Sequence, residues 1–173
     1  MRLKPSQILY WGCFLGLLAI DQIVKAQVRA HFAVGESRTL LPALLDLRLT
    51  YNEGIAFGKL QGFGVYLAPV AIVIAIFAGI YSARHPEESR WTHAAMGLLA
   101  SGALGNMLDR IMWHRVTDMF EFRFVQFPVF NVADACITVA AAILIVKWGL
   151  EALHPTHKPG PTPPPLPADA EEA

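Results

Sequence analysis

Residues 94–113 read AAMGLLASGALGNMLDRIMW, an apolar run that ends among three polar side chains. At about 20 residues, the run has the length of an α-helix that crosses the hydrocarbon core of a bilayer. Asn106, Asp109 and Arg110 stand near its end. Ionisable groups at the margin of such a segment are costly unless they are paired, hydrated or used chemically. This end of the helix is therefore predicted to belong to a functional site.

Three further apolar runs of spanning length accompany this one, and the four lie at about 8–28, 65–83, 94–113 and 131–150. The chain of 173 residues is 54% hydrophobic and only 16% charged, which is too apolar for an ordinary soluble domain of this size. We therefore predict a membrane all-α fold with a small β element. Residues 1–154 form one domain with four transmembrane helices.

The orientation of the domain is predicted from its first helix. An even number of spans places both termini on the same side, and Arg2 and Lys4 before the first run favour the cytoplasm for that side. The total count of Lys and Arg on the two sides does not decide the matter. The loops 29–64 and 114–130 then lie on the extracytoplasmic side.

Both of these loops contain a stretch that alternates apolar and polar residues. Residues 45–51 read LDLRLTY and residues 120–125 read FEFRFV, which is the period of a strand with one buried face. We predict that the two strands pair in a small sheet on the membrane surface. The first strand belongs to a surface sheet and loop that cover residues 29–64.

Small residues recur along the third run at intervals of about four. Gly97, Ser101 and Gly105, with Gly102 beside them, predict a face on which a neighbouring helix packs closely. The counterpart is expected on the fourth run, which is rich in alanine at 133, 135 and 140–142. This packing would bring Asp134 toward the third run and toward the loop that carries Asp118.

The remaining composition excludes several classes of function. Residues 155–173 are rich in proline and predict a disordered tail without a catalytic role. The net charge is zero and no basic patch with interleaved aromatic residues occurs, which excludes a nucleic-acid partner. The histidines lack metal-ligand spacing, so neither a metal nor another cofactor is predicted.

The polar residues of the predicted helices converge on one membrane face. Asp118 and Asp134 are the candidates for chemistry, because Asp134 lies in an apolar helix without a nearby cation in sequence and Asp118 faces it from a loop. Two carboxylates that share a site suit aspartyl hydrolysis, in which the ionised acid activates water and the protonated acid donates to the carbonyl oxygen. Asp21 with Lys25 is either an interfacial ion pair or a substrate-facing pair. Asp109, ionised beside Arg110, is predicted to be structural.

Five motifs in this order resemble those of bacterial lipoprotein signal peptidase, also called signal peptidase II. They are Asp21-Gln22 with Lys25, residues 52–57 (NEGIAF), residues 101–106 (SGALGN) with Asp109-Arg110, Val116-Thr117-Asp118, and residues 129–134 (VFNVAD). The resemblance extends from about residue 8 to residue 150. It departs from the family at Val24, where a Ser or Thr is frequent, and at 119–121, where a second Asp is frequent.

The resemblance implies a metal-free aspartyl endopeptidase of the bacterial inner membrane, with its active site near the extracytoplasmic face. Its substrate would be a prolipoprotein, cleaved just before the diacylglyceryl cysteine, and its partners this signal peptide and the membrane lipid. By position, Asp118 and Asp134 match the catalytic pair of the family. The supporting polar residues that match are Asp21, Lys25, Asn52, Asn106, Asp109, Arg110 and Asn131.

The loop 52–57 is interpreted as a clamp over the substrate, with Gly54 for backbone freedom and Phe57 for an apolar contact. The alternative for Phe57 is an anchor in the headgroup region. For the whole protein the alternatives are a small membrane transporter or proton relay that uses paired carboxylates, and a non-catalytic membrane scaffold. A presenilin-like protease is disfavoured because its Gly-x-Gly-Asp signature is absent from the sequence.

Overall fold

The computed structural model of the protein describes residues 4–54 and 68–153. In this part of the chain the helices are α1 (Pro5–His31), α2 (Ala68–Arg84), α3 (Arg90–Trp113) and α4 (Val132–Leu153). The strands are β1 (Ser37–Leu41), β2 (Leu45–Asn52) and β3 (Val116–Phe122). The tail after residue 153 and the loop residue Phe57 lie outside the described residues.

Helix α3 is the centre of the bundle, because α1, α2 and α4 each pack against it. The core between them contains Tyr10, Met96 and Leu144 around small residues such as Ala100 and Ala140, both with no exposed surface. Large apolar side chains also cover the outer faces of the helices; on α2, for example, Val73 is 65% exposed and Phe77 57%. A helix that is apolar on both its inner and outer faces is typical of a membrane span.

By length and hydropathy, two helices in the described residues could cross a membrane, namely α1 and α4. Helix α2 is apolar but has only 17 residues, and α3 carries the polar site residues that lower its mean hydropathy. The helices coincide with the predicted apolar runs to within a few residues at each end. The number of four spans stays a prediction.

The small-residue face of α3 is a packing face, as predicted. A Cβ atom on Gly102 would meet the carbonyl oxygen of Ala133 and lie 2.6 Å from a side-chain carbon of Ile137, both on α4. A Cβ on Gly97 would lie 2.6 Å from the carbonyl oxygen of Tyr10, so the same face also packs on α1. Of the alanines expected on the facing side of α4, Ala133 and Ala140 are buried, Ala135 is partly exposed, and residues 141 and 142 face outward.

The sheet is antiparallel in the order β1-β2-β3, and the predicted pairing of the two alternating stretches is confirmed. Leu45 pairs with Phe122, and Thr50 pairs with Asp118, with a one-residue shift of register between these two pairs. Strand β3 begins at Val116, earlier than predicted. The description of Asp118 as a loop acid is therefore wrong, since the residue lies within a strand. Strand β1 was not expected.

The sheet is fixed to the last turns of α1 by a small second core. Leu49 of β2, Met119 of β3 and Val28 of α1 are buried together there. Because β3 runs directly from the end of α3 and leads back to the start of α4, this packing places Asp118 beside both helix ends. The position of the site thus depends on the contact between sheet and α1.

The glycine contacts of α3 predict a selective loss of stability. Gly102→Ala should lower the melting temperature of the detergent-solubilised protein by about 5 °C, because the added methyl group forces α3 and α4 apart. Gly16→Ala on α1 is the control, since a Cβ there meets nothing within 4 Å. This control should be neutral or slightly stabilising, as alanine is the better helix former. Equal melting temperatures for Gly102→Ala and the parent protein would contradict the packing.

Candidate active site

Helix α4 begins with a reciprocal pair of hydrogen bonds between Asn131 and Asp134. The side-chain oxygen of Asn131 accepts a hydrogen bond of 2.9 Å from the backbone N–H of Asp134, and Asp134 Oδ2 accepts one of 3.2 Å from the backbone N–H of Asn131. This is the geometry of a capping box, which satisfies two otherwise unpaired donors at a helix start. Asp134 is therefore held rigidly by its own helix and lies in the favourable field of the helix N-terminus.

The side-chain amide of Asn131 connects this helix start to Asp118. Its Nδ2 lies 2.6 Å from Asp118 Oδ1, to which it donates, and 3.3 Å from the carbonyl oxygen of Thr117. Asn131 is fully buried, and Asp118 is 3% exposed. One asparagine thus bonds both predicted catalytic carboxylates, through its backbone to Asp134 and through its side chain to Asp118.

Asn106 supplies the second donor to Asp134. Its Nδ2 donates to Asp134 Oδ1 at 2.8 Å, while its own oxygen accepts hydrogen bonds from Lys25 Nζ at 3.1 Å and from Asn131 Nδ2 at 3.0 Å. Both oxygens of Asp134 therefore accept hydrogen bonds from neutral N–H groups. These two donors fix the orientation of the carboxylate within the site.

The two predicted catalytic acids differ in their surroundings. The pKa of Asp118 is raised to about 7, chiefly by burial and also by the negative charge of Asp134, while hydrogen bonds from Asn131 and Asn52 and the charge of Lys25 oppose the rise. Asp118 thus holds a proton at neutral pH more readily than an exposed aspartic acid does. Asp134 is half-buried and fully hydrogen-bonded.

Beneath the carboxylates lies a buried cluster of charges between α1 and α3. Lys25 Nζ is 2.9 Å from Asp21 Oδ2 and 3.6 Å from Asp109 Oδ2, and all three side chains have no exposed surface. Arg29 completes the cluster at 3.4 Å from Asp109 Oδ1. The two carboxylates and two cations of this cluster sum to a formal charge of zero. Such pairing offsets the free-energy cost of placing charges in a low-dielectric interior.

This cluster bears on two expectations. Asp21 and Lys25 form an ion pair, which was one of the two alternatives, and neither side chain has exposed surface. Asp109 pairs with Lys25 and Arg29 of α1 and not with Arg110, because successive residues of a helix point in different directions. Asp109 also accepts a hydrogen bond of 2.8 Å from the backbone N–H of Thr117, so its predicted structural role is supported by a contact to strand β3.

Asp21 has a second contact that reaches the start of α4. Its Oδ1 accepts a hydrogen bond of 2.9 Å from the backbone N–H of Ala133, and its Oδ2 accepts one of 3.0 Å from the side chain of Gln22. A Cβ on Gly105 would lie 2.6 Å from Asp21 Oδ2, so only glycine leaves room for this carboxylate. Asp21 therefore ties α1 to the helix that carries Asp134.

The start of the predicted clamp loop at Gly54 is contacted by Arg110 and Asn52. Arg110 Nη2 donates to the carbonyl oxygen of Gly54 at 3.4 Å, and Asn52 Oδ1 accepts a hydrogen bond of 3.0 Å from the backbone N–H of Gly54. Arg110 also lies within electrostatic reach of Asp134 and Asp118. The predicted clamp loop thus starts next to the carboxylates, whereas Phe57 is outside the described residues.

Two contributors were not predicted from the sequence. Arg29 donates to Thr117 Oγ1 at 2.8 Å as well as pairing with Asp109, and Thr117 has no exposed surface. Arg29 follows Lys25 by four residues, as Lys25 follows Asp21, so the shared helical face was a usable signal. For Thr117 the sequence indicated no role beyond its position next to Asp118. Within residues 4–54 and 68–153 no three His, Cys, Asp or Glu side chains are grouped to hold a metal ion.

The fold is that of a membrane enzyme. A bacterial membrane enzyme solved by the in meso method at 2.3 Å resolution superposes with a TM-score of 0.79 and 24% identity, over 90% of this chain and 94% of the other. A second bacterial membrane enzyme, solved by the same method at 1.9 Å resolution, gives a TM-score of 0.71 and 26% identity over 83% of this chain and 91% of the other.

The sequence comparisons are more specific. The family model for signal peptidase (SPase) II matches residues 13–149. A lipoprotein signal peptidase of Streptococcus pneumoniae is 36% identical over 80% of this chain and 90% of its own length, and one of Gloeobacter violaceus is 35% identical over 79% of both chains. The chain belongs to the signal peptidase II family.

The raised pKa of Asp118 predicts that this residue destabilises the folded protein at neutral and alkaline pH. The folded-state pKa of about 7 exceeds the ordinary value of 3.8, so the folded state binds the proton more tightly and stability declines as pH rises from about 4 to 7. Asp118→Asn removes this titration. Its melting temperature should equal that of the parent protein near pH 4 and exceed it by several degrees at pH 8. A variant that melts below the parent protein at pH 8 would contradict the burial of an unfavourable charge.

Proposed function

We propose that Asp118 and Asp134 are the catalytic pair with which this enzyme cleaves a prolipoprotein before its diacylglyceryl cysteine. Membership of the family makes the chain a peptidase that removes signal peptides from prolipoproteins. The observation that carries the assignment of residues is the bridge through Asn131, whose backbone N–H donates to Asp134 and whose side-chain amide donates to Asp118. The alternative of a transporter or proton relay is set aside, because the family is one of peptidases.

The proposed reaction follows from the two environments. Asp134, ionised and held by Asn106 and Asn131, takes a proton from a water molecule as the water oxygen attacks the scissile carbonyl carbon. Asp118 donates its proton to the carbonyl oxygen, so that this oxygen becomes a neutral hydroxyl group in the tetrahedral intermediate. When the C–N bond breaks, the proton on Asp134 passes to the leaving nitrogen, and Asp118 recovers its proton from the collapsing hydroxyl group. The pair returns to its initial state.

The buried charge cluster supports this chemistry by fixing geometry. Lys25 holds Asn106 through its oxygen, and Asn106 in turn can present only its N–H group to Asp134. An amide whose orientation is fixed in this way cannot turn its oxygen toward the carboxylate. The supporting roles of Asp21, Lys25, Asn106, Asp109 and Asn131 are thus to orient donors and helix ends around the reacting groups.

We further propose four spans, with both termini cytoplasmic and the site at the extracytoplasmic face of the inner membrane. Helix α2 has 17 residues, which extend about 26 Å and nearly cross a hydrocarbon core, and its outer face is apolar. Asp134 lies in the first turn of α4, so the carboxylates would meet water near the interface. A signal peptide is itself an apolar helix and can reach this site laterally from the lipid.

The sheet supports the same orientation. Its end away from the site exposes Leu40, Leu41 and Leu44, and the adjoining segment exposes Phe124 and Phe127. Exposed apolar side chains in this number are typical of a surface that lies on lipid headgroups and acyl chains. The peptidase domain is assigned to residues 1–154, and the diacylglyceryl group of the substrate would remain in the leaflet.

Substitution of each catalytic acid should abolish cleavage without unfolding the protein. Asp118→Asn and Asp134→Asn keep the shape of the side chain but remove the acid or the base, so each should lower kcat by at least about a thousandfold on a lipid-modified precursor. The double variant should be no worse than either single one. Asp46→Asn is the control, because Asp46 is a sheet acid paired with Arg123 away from the site. Retained turnover in either single variant would refute the pair.

The pH dependence of cleavage should be bell-shaped. The rate should decrease as pH rises above about 7, because Asp118 loses the proton that it donates. It should also decrease at acid pH, because the proposed base must be ionised to accept a proton from water. The measurement is kcat/KM for a lipid-modified precursor in buffered detergent across this range. A rate that is constant from pH 5 to 9 would count against two acids of opposite protonation.

A further inference from the structure

Thr117, the residue before Asp118, has all three of its polar groups engaged by other elements. Its backbone N–H donates to Asp109 Oδ2 at 2.8 Å, its hydroxyl oxygen accepts from Arg29 Nη1 at 2.8 Å, and its carbonyl oxygen accepts from Asn131 Nδ2 at 3.3 Å. These partners belong to α3, α1 and the start of α4. Thr117 is therefore fixed by three helices in addition to its strand pairing with Tyr51.

Arg29 is in turn fixed from three sides. Its guanidinium carbon lies 5.3 Å from the ring centre of Trp113, one of its nitrogens lies 3.4 Å from Asp109 Oδ1, and the same nitrogen reaches Thr117. Its side chain is only 18% exposed. A guanidinium held by an ion pair and an aromatic face is a rigid donor, because few of its rotamers keep both contacts.

We propose that Arg29 and the Thr117 hydroxyl are positioning residues that set the place of Asp118 relative to Asp134. The proposal rests on the assignment of Asp118 as the catalytic acid. In an extended strand, neighbouring side chains point to opposite faces, so a rotation of the backbone at Thr117 turns Asp118 as well. The hydrogen bond from Arg29 restrains this rotation on the face opposite to Asp118, while Asn131 and Asn52 hold the carboxylate of Asp118 itself.

The hydroxyl group can be tested separately from the shape of the side chain. Thr117→Val keeps the volume and the branched Cβ but cannot accept the hydrogen bond, and it should lower kcat about tenfold with an unchanged KM. Thr117→Ser keeps the hydroxyl and should recover kcat to within about twofold of the parent enzyme. Valine keeps the packing of threonine but lacks the hydroxyl group, whereas serine keeps the hydroxyl group but loses the methyl group. Comparison of the two variants therefore distinguishes positioning by the hydrogen bond from a loss of packing.

Arg29 is tested by a double-mutant cycle with the same substrate. Arg29→Met should lower kcat at least as much as Thr117→Val, since it also removes the ion pair with Asp109. The double variant should be no slower than Arg29→Met, because both changes break the same hydrogen bond. Independent, multiplicative losses would overturn the coupling. The control is Thr39→Val, which removes an arginine-to-threonine hydrogen bond of the same 2.8 Å length, from Arg123, at an exposed edge of the sheet. This control should leave kcat unchanged.

The outcomes separate this proposal from the assignment of the catalytic pair. If Thr117→Val melts earlier but keeps the kcat of the parent enzyme per folded molecule, the contact is only structural and the positioning role is refuted. If Asp118→Asn keeps its activity, the catalytic pair itself is wrong, whatever the result at Thr117. A loss of kcat in Thr117→Val with recovery in Thr117→Ser supports the positioning role.

Discussion

The structure depends on Lys25, an ammonium group with no contact to water that lies between the carboxylates of Asp21 and Asp109. An isolated charge in such a place would cost more free energy than the packing of the surrounding helices supplies. Its two partners reach beyond it. Asp21 bonds the backbone at the start of α4, and Asp109 bonds the backbone at Thr117 of β3. The neutralisation of one buried cation thereby brings together the helix and the strand that carry the two predicted catalytic acids.

Asp134 combines two duties that are usually separate. As the third residue of α4 it closes the capping box with Asn131, and as a half-buried carboxylate it faces Asp118. The hydrogen bonds that stabilise the helix start also fix the orientation of this carboxylate. The proposed base therefore needs no rearrangement to reach its position, because folding of the helix already places it there.

Much of the architecture could be predicted from the sequence, because long apolar runs and strict alternation are local patterns. Both patterns failed at segments whose burial is decided by contacts with distant parts of the chain. Val116 to Met119 are all buried, so the start of β3 did not alternate and Asp118 was placed in a loop. Strand β1 is exposed along its whole length and carries no periodic signal. Asn131 and Asp134 have the spacing of a capping box, yet Asn131 was predicted only as a supporting polar residue, and its hydrogen bond to Asp118 was not expected.

The partners of the buried charges could likewise be predicted only where the two residues are close in sequence. The pairing of Asp21 with Lys25 follows from their spacing on one helix, whereas that of Lys25 with Asp109 joins residues far apart in the chain. Arg29 and Thr117 are separated by 88 positions, and no pattern within either segment points to the other. Resemblance to a family indicates which residues matter. The three-dimensional contacts are needed to say which atom each residue holds.

The register shift between β2 and β3 sets a limit on how this chain can change in length. Between the pairs Leu47–Phe120 and Thr50–Asp118, β2 has one residue more than β3. Insertions in the turn between β1 and β2 would lengthen the sheet at its free end and leave these pairs intact. Deletion of a single residue at the bulge would instead move each later side chain of β2 to the opposite face and withdraw Asn52 from Asp118. Related sequences should accordingly vary in length at the turn while keeping a fixed spacing from the bulge to Asn52.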